Sequence, residues 1–314
     1  MNGSTIITGA AGFAGSHLLD LLAADGSRDI FAWHRPGGHQ PRPVPGVRWQ
    51  AVDLLDRQSV LRAVEAAAPA TVYHCAGAAH VGQSWGKAAD TLRVNALGTH
   101  SIVEALRTAA PDAGLLITSS ALVYGPSDDG IDETCAIRPA NPYGLSKVAQ
   151  EMTGWGEGGH QHTYIARPFN HFGPRQDSTF VSAAFAQQVA RIEAGQIAPE
   201  IHVGNLEALR DLTDVRDTVR AYRLIVERGV EGRPYNVCTG KLVRVQSLLD
   251  TLVSLARVAV RIVPDPSRYR PSDTPVVLGN PARANRELGW AATIPLERTA
   301  HDLLEYWRQQ VREP

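Results

Sequence analysis

The sequence predicts an α/β fold, a doubly wound parallel sheet that carries a smaller mixed α/β lobe. Three observations lead there: short apolar runs alternate with helical patterns early in the chain, a glycine triplet follows the first run, and the alternation loosens after about residue 168. The runs are STIIT at 4–8, DIFAW at 29–33, VRWQAV at 47–52, TVYHC at 71–75 and GLLIT at 114–118. Apolar runs without alternation suit strands covered on both faces, the environment of a parallel sheet. Between the third and fourth runs, Asp56 precedes Val60, Leu61, Val64 and Ala68, a capping acid ahead of an apolar helical stripe. Between the fourth and fifth, Leu92, Val94, Ile102, Val103 and Leu106 predict a longer helix. The order is βαβαβ, the repeating unit of a doubly wound sheet.

A chain of 314 residues is long for one domain and short for three, which predicts one large core with an attached lobe. Past residue 168, GPRQDSTF reads as a polar loop, helices are expected near 180–194 and 215–228, and proline-rich turns at 264–281. Leu296, Ala300, Leu303, Leu304, Trp307 and Val311 form the apolar stripe of a last helix, with Pro295 at its first turn. The 31 basic and 32 acidic side chains nearly cancel and are dispersed, so nothing attracts nucleic acid or an anionic membrane surface wholesale. Cys75, Cys135 and Cys238 are few, odd in number and far apart, which disfavours a disulfide framework and predicts a reducing compartment. No basic segment with an apolar core opens the sequence, and no apolar stretch approaches the roughly 20 residues of a membrane span. The expectation is a soluble cytoplasmic protein.

TGAAGFAGSHLLDLL places Gly9, Gly12 and Gly15 at three-residue spacing across the turn from the first strand into the first helix. Glycines there permit a turn closed to bulkier residues, bring backbone N–H groups close to a pyrophosphate, and pack helix on strand. The turn from Gly9 and Gly12 through Phe13 and Ala14 to Gly15 is therefore expected to bind a dinucleotide, as in a Rossmann domain. The second strand ends Trp33-His34-Arg35, with no carboxylate for a ribose 2′-hydroxyl. Arg35 can pair with a 2′-phosphate instead, so NADP(H) is favoured and NAD(H) remains possible. Asp53 is the expected partner of the adenine amino group; Leu54 and Ala76 complete the cofactor-binding set.

ANPYGLSKVAQE at 140–151 supplies Asn141 as a cap, Pro142 at the first helical position, and Tyr143 and Lys147 one turn apart on one helix face. A phenol of ordinary pKa about 10 is a poor proton donor or acceptor at neutral pH, and a neighbouring ammonium is expected to lower it. Ser120, in SSALVYG at the end of the fifth run, can supply the accompanying hydroxyl, whereas Ser119 is expected to be structural. The glycine turn, Ser120 and the Tyr143/Lys147 pair resemble the extended short-chain dehydrogenase/reductase family over essentially the whole chain. The resemblance implies that the tyrosine exchanges a proton with a sugar oxygen. It also implies that the lysine holds the nicotinamide ribose, the serine bonds the reacting oxygen, and Asn95, in RVNALGT, supports the site.

In the second half, ARPFNHFGPRQ, VGNLEALRDLTDVRD, YNVCTG and RPSDTPVVLGN resemble the family's nucleotide-sugar enzymes that act on GDP-mannose derivatives. A nucleoside diphosphate calls for bidentate cations, so Arg175, Arg210 and Arg270 are candidates, with Asn170 and Asn205 as hydrogen-bonding partners and His80 and Ser84 near the sugar. His160 and His162 lack further ligands that would complete a metal site, and no metal is expected. Residues 1–168 are thus read as the dinucleotide-binding domain, with segments near 212–235 returning to it, and 169–314 mainly as the nucleotide-sugar lobe. In the family's dehydratases a glutamate stands two residues after the catalytic hydroxyl; here that place is Leu122. A leucine moves no proton, so the expected reaction is reduction of a 4-keto group in a GDP-linked 4-keto-6-deoxy sugar, with 4-epimerisation on tightly bound NAD as the alternative. The resemblance also implies a homodimer through the helix of Tyr143 and the helix near 88–108.

Overall fold

In the computed structural model, residues 3–26, 29–38, 42–125, 127, 130–155, 159, 160, 162–269 and 275–312 are described. The chain begins β1 (Ser4–Thr8), α1 (Phe13–Ala24), β2 (Ile30–His34), β3 (Val47–Ala51), α2 (Arg57–Ala67) and β4 (Pro69–His74). It continues α3 (Val81–Ser84), α4 (Ala88–Leu92), α5 (Gly98–Ala109), β5 (Gly114–Thr118), α6 (Pro142–Trp155), β6 (Thr163–Pro168), β7 (Asn170–Phe172) and α7 (Val181–Glu193). Then come β8 (Glu200–Val203), β9 (Leu209–Asp214), α8 (Val215–Arg228), β10 (Pro234–Val237), β11 (Leu242–Arg244), α9 (Val245–Ser254), β12 (Arg261–Pro264), β13 (Val276–Val277) and α10 (Leu296–Arg312).

Seven parallel strands form the large sheet in the order β10-β6-β5-β4-β1-β2-β3. One face is covered by α1 and α8, with Leu18, Leu19 and Leu22 packed among Val219, Tyr222 and Ile225. On the other, Val60 and Val64 of α2 meet Ile102, Val103 and Leu106 of α5. Covering on both faces is why four of the five residues in β1 and in β5 are buried, around Ile6–Ile7 and Leu115–Ile117. β3 departs from the expectation of full burial: it is the sheet's edge, and its residues are half-buried or exposed.

After β7 the chain builds a second core around α7, α9 and α10. β9 pairs with β7, β11 and β13, and β8 with β12. Between α7 and α9 the chain re-enters the large sheet, α8 packing against α1 and β10 adding beyond β6. Strand order reverses between β1 and β4, and a parallel sheet opens its binding crevice at such a switch point, beyond the carboxyl ends of the strands.

Local signals explain the helix starts. Asp56 accepts a hydrogen bond from Ser59 N (3.1 Å) to cap α2, and Asn141 accepts one from Gly144 N (2.8 Å) ahead of α6. The helix expected near 88–108 runs as α4, a π-helical turn Arg93–Leu97 and α5. Such turns recur at functional sites, and this one carries Asn95.

Candidate active site

At the switch point Thr8 of β1 lies beside His74 of β4. Gly9 follows with φ +67°, and a Cβ there would stand 2.8 Å from the backbone of Ala76, so only glycine fits. A Cβ on Gly15 would fall 2.2 Å from the Gly9 carbonyl oxygen, the close packing of helix on turn that the triplet predicts. Gly12 caps α1 without a side-chain hydrogen bond, which leaves the amides of the first turn for a ligand. This bare helix end beside a backbone approach closed to any side chain fits a pyrophosphate. Phe13 stacks on His171 of β7 (5.6 Å, 3°), joining the turn to the second core. Arg35 is exposed just past β2, Asp53 is exposed and accepts from Leu55 N (3.0 Å), and Leu54 lies against Gly98.

His74 ties this cradle together. Its ring nitrogens meet Thr8 Oγ1 (2.8 Å) and Thr99 Oγ1 (2.9 Å); Thr8 Oγ1 also accepts from Ala76 N, and Thr99 donates to the Asn95 carbonyl. Burial lowers the histidine to about 3, so the ring is neutral. Asn95, wholly buried, takes a hydrogen bond from Ala78 N (2.8 Å) and donates to Ser146 Oγ (2.8 Å), fastening the loop after β4 to α6.

Tyr143, Ser146, Lys147, Gln150 and Glu151 line the buried side of α6. The Tyr143 hydroxyl is hydrogen-bonded to Ser120, whose Oγ also accepts from Leu122 N (3.1 Å) in the turn that follows β5. Burial pushes the phenol up to about 12, with the Ser120 bond opposing it. The lowering expected from Lys147 is thus reversed: the ammonium lies 5.7 Å from the ring centroid and faces Thr118 O (2.9 Å) and Gln150 Oε1 (2.8 Å). Lys147 itself is lowered to about 8 by burial, against weaker raising effects of Cys75 and Glu151. Behind Ser120, Ser119 donates to Glu151, which Arg167 grips through Nε (2.9 Å) and Nη2 (2.7 Å). Arg167 Nη1 reaches Tyr124 OH (2.8 Å), which donates to Asn236 Oδ1 (2.9 Å).

The candidates for the sugar and the diphosphate are more dispersed. His80 stacks on Phe180 (4.9 Å) and meets Thr179 Oγ1 (3.2 Å), bridging the loop after β4 to the second core. Ser84 is buried and donates to Val81 O (2.6 Å). Asn170 is exposed on β7, Asn205 holds its own turn through Glu207 N (2.9 Å), and Arg210 on β9 donates to Leu209 O and Pro275 O. Arg175, at φ +70°, turns to α1 and pairs with Asp20 (2.8 Å) and His17 (2.7 Å). Arg270 lies outside the described residues. His160 and His162 face different partners, the Ala113 carbonyl and Glu231. Sequence reasoning did not single out His74, Gln150, Glu151 or Arg167. For Gln150 and Glu151 the signal was present, since both share the helix face of Lys147.

The chain matches the family model described as GDP-mannose 4,6 dehydratase over residues 6–303. It is 35% identical over 312 residues to the GDP-6-deoxy-D-mannose reductase of Pseudomonas aeruginosa, covering 98% of each chain. Among solved structures, RMD from Pseudomonas aeruginosa complexed with NADPH matches with TM-score 0.84 and 33% identity, over 98% of this chain and 100% of that one. The UDP-glucose 4-epimerase of Thermus thermophilus, in complex with NAD, matches with TM-score 0.85 and 27% identity, over 97% and 99%.

Proposed function

Because the chain belongs to the GDP-mannose 4,6-dehydratase family of extended short-chain dehydrogenases/reductases, we propose that it is an NADPH-linked 4-ketoreductase that converts GDP-4-keto-6-deoxy-mannose to GDP-rhamnose. The observation that carries this reading is the hydrogen-bonded Ser120 and Tyr143 pair with Leu122 beside it, where elimination needs a carboxylate. The buried carboxylates of neighbouring elements are committed elsewhere: Glu151 to Arg167 and Ser119, and Glu133 to Asn236 N and Arg283. What remains is the transfer of one hydride and one proton.

The cradle of Gly9, Gly12, Phe13, Ala14 and Gly15, with Asp53, Leu54 and Ala76, would hold the cofactor, and Arg35 would take its 2′-phosphate. Bound NADPH supplies the hydride for C4 of the sugar. Tyr143, protonated at neutral pH, gives its proton to the C4 oxygen, and Ser120 donates to that oxygen as negative charge develops there. Lys147 presents a positive charge beside the site, and Asn95 holds the loop and α6 in register. His80, Ser84, Asn170, Arg175, Asn205, Arg210 and Arg270 are the residues assigned to the nucleotide sugar, bound over the second core. The name of the Pseudomonas reductase supports the substrate, and its relative's NADPH supports the cofactor. Exposed Leu97, Leu145 and Met152 support a homodimer through α6 and the π-helical turn, and the scattered cysteines support a cytoplasmic location.

The likeness to the Thermus epimerase favours a second reading, a 4-epimerase that retains NAD; the lack of an acid at the end of β2 weighs against it. The test is to mix the protein with GDP-4-keto-6-deoxy-mannose and NADPH and follow the nicotinamide absorbance. Oxidation matched to loss of ketosugar is expected. No oxidation, together with interconversion of a nucleotide hexose without added cofactor, would replace the reductase by the epimerase.

A further inference from the structure

We propose that Gln150 is a positioning residue of this site: its side-chain amide oxygen fixes Lys147 beside Tyr143 and keeps the lysine charged in a dry interior. Lys147 is 5% exposed, and a buried ammonium loses its proton unless something in the protein replaces the water it gave up. Among the described residues Nζ donates to two oxygens, the Thr118 carbonyl and Gln150 Oε1, and only the second belongs to a side chain.

Of the ionisable neighbours, Cys75 and Glu151 favour the charged lysine, each by less than burial opposes it, and neither is hydrogen-bonded to Nζ. Cys75, after β4, is pushed up to about 12 by burial and so is a neutral thiol, and His74 of β4 is a neutral imidazole. Tyr143 of α6 is a neutral phenol. Glu151 is turned to Arg167 of β6, which grips both its oxygens. Among the described residues, the hydrogen bonds that replace water around the ammonium are thus made to neutral dipoles. Gln150 is turned so that its oxygen meets Nζ, and its Nε2 is left buried without a partner. An orphaned buried amide is costly and rare in native proteins, and the opposite orientation would set an NH₂ group against the ammonium. The charge of Lys147 explains why the costly orientation is the one adopted.

The role of Lys147 in turnover rests on the reductase reading; its ionisation does not, and can be measured directly. The sequence holds three lysines, Lys87, Lys147 and Lys241, so protein labelled with [ε-¹³C]lysine gives three resonances, with Lys147→Met assigning the buried one. Gln150→Leu removes the acceptor at similar size and is expected to lower the titration midpoint of Lys147 by about one pH unit or more. Gln150→Glu places an anion at the same point and is expected to raise it by a similar amount. A packing defect would move both variants in one direction. Should Gln150→Leu fail to fold, as judged by circular dichroism, Gln150→Glu against the unsubstituted protein carries the test alone. A midpoint unmoved in Gln150→Glu, or moved the same way in both variants, overturns the proposal. In an active enzyme the alkaline limb of kcat should follow these midpoints. If no ketosugar is reduced by any variant, the reductase reading fails, and the resonances still decide the role of Gln150.

Discussion

Burial moves Tyr143 up to about 12 and Lys147 down to about 8, favouring the uncharged form of each. At neutral pH the phenol keeps its proton, the state that a donor to a ketone oxygen must have. Tyr143→Phe keeps the ring and removes the donor, so NADPH fluorescence titration is expected to be unchanged while turnover falls by roughly 100-fold or more; near-normal turnover would remove Tyr143 from its assigned role. The Tyr-x-x-x-Lys spacing was legible in the sequence because one helical turn fixes it. The sign of the phenol's shift was not, because it depends on what covers the hydroxyl. His74 was less legible still, its partners Thr8 and Thr99 being distant in sequence. Its imidazole is lowered from 6.5 to about 3 by burial, so the unfolded chain binds the extra proton between those values. Stability is accordingly full above pH 6.5 and falls on acidification toward pH 3, by on the order of a few kcal/mol. Urea unfolding across this window should show a shallower pH slope in His74→Gln; an identical slope would contradict the assignment.

At the scale of elements, the site depends on how the tip of β5 is fixed against α6. The Glu151 and Arg167 pair does this from below, joining α6 to β6 and taking the Ser119 hydroxyl, one residue from Ser120. Both side chains are under one-tenth exposed. Removing one partner of such a pair strands a buried charge, so Arg167→Met is expected to cost about 3–5 kcal/mol in urea unfolding at neutral pH. Adding Glu151→Leu should restore part of that loss; no recovery would mean that packing, not charge, holds the two elements. β1 and β5 were read correctly to the residue because a strand covered on both faces shows an unalternated apolar centre, Ile6–Ile7 and Leu115–Ile117, here closed by a threonine. β6 and β10 were not separated out as strands: TYIARP carries the buried Arg167, and PYNV carries the buried Asn236. Their polar residues belong to the network behind the site and interrupt the run.

For the whole molecule, the chain closes its large sheet partway through the second core: α8 and β10 return beside α1 and β6 after α7 and before α9 and α10. The cradle and the candidate catalytic side chains come from strand ends, the π-helical turn and α6, where local motifs mark them. The described substrate candidates are spread along the chain from His80 to Arg210, on strands β7 and β9, on α3 and in turns, and their geometry depends on contacts that no local pattern encodes. Arg175 illustrates this: in sequence it reads as a clamp, and in the structure its guanidinium meets Asp20 and His17 of α1. Among the described residues no helix is long and apolar enough to cross a membrane. The central claim is that this crevice carries one hydride to C4 of a GDP-linked 4-keto-6-deoxy sugar, and isotope transfer tests it most directly. NADPH deuterated at the transferring position of its nicotinamide, incubated with GDP-4-keto-6-deoxy-mannose and the protein, should yield a 6-deoxy sugar with deuterium at C4, one atom for each NADPH oxidised. Sugar product without deuterium at C4, or NADPH left unoxidised while the ketosugar is consumed, would contradict it.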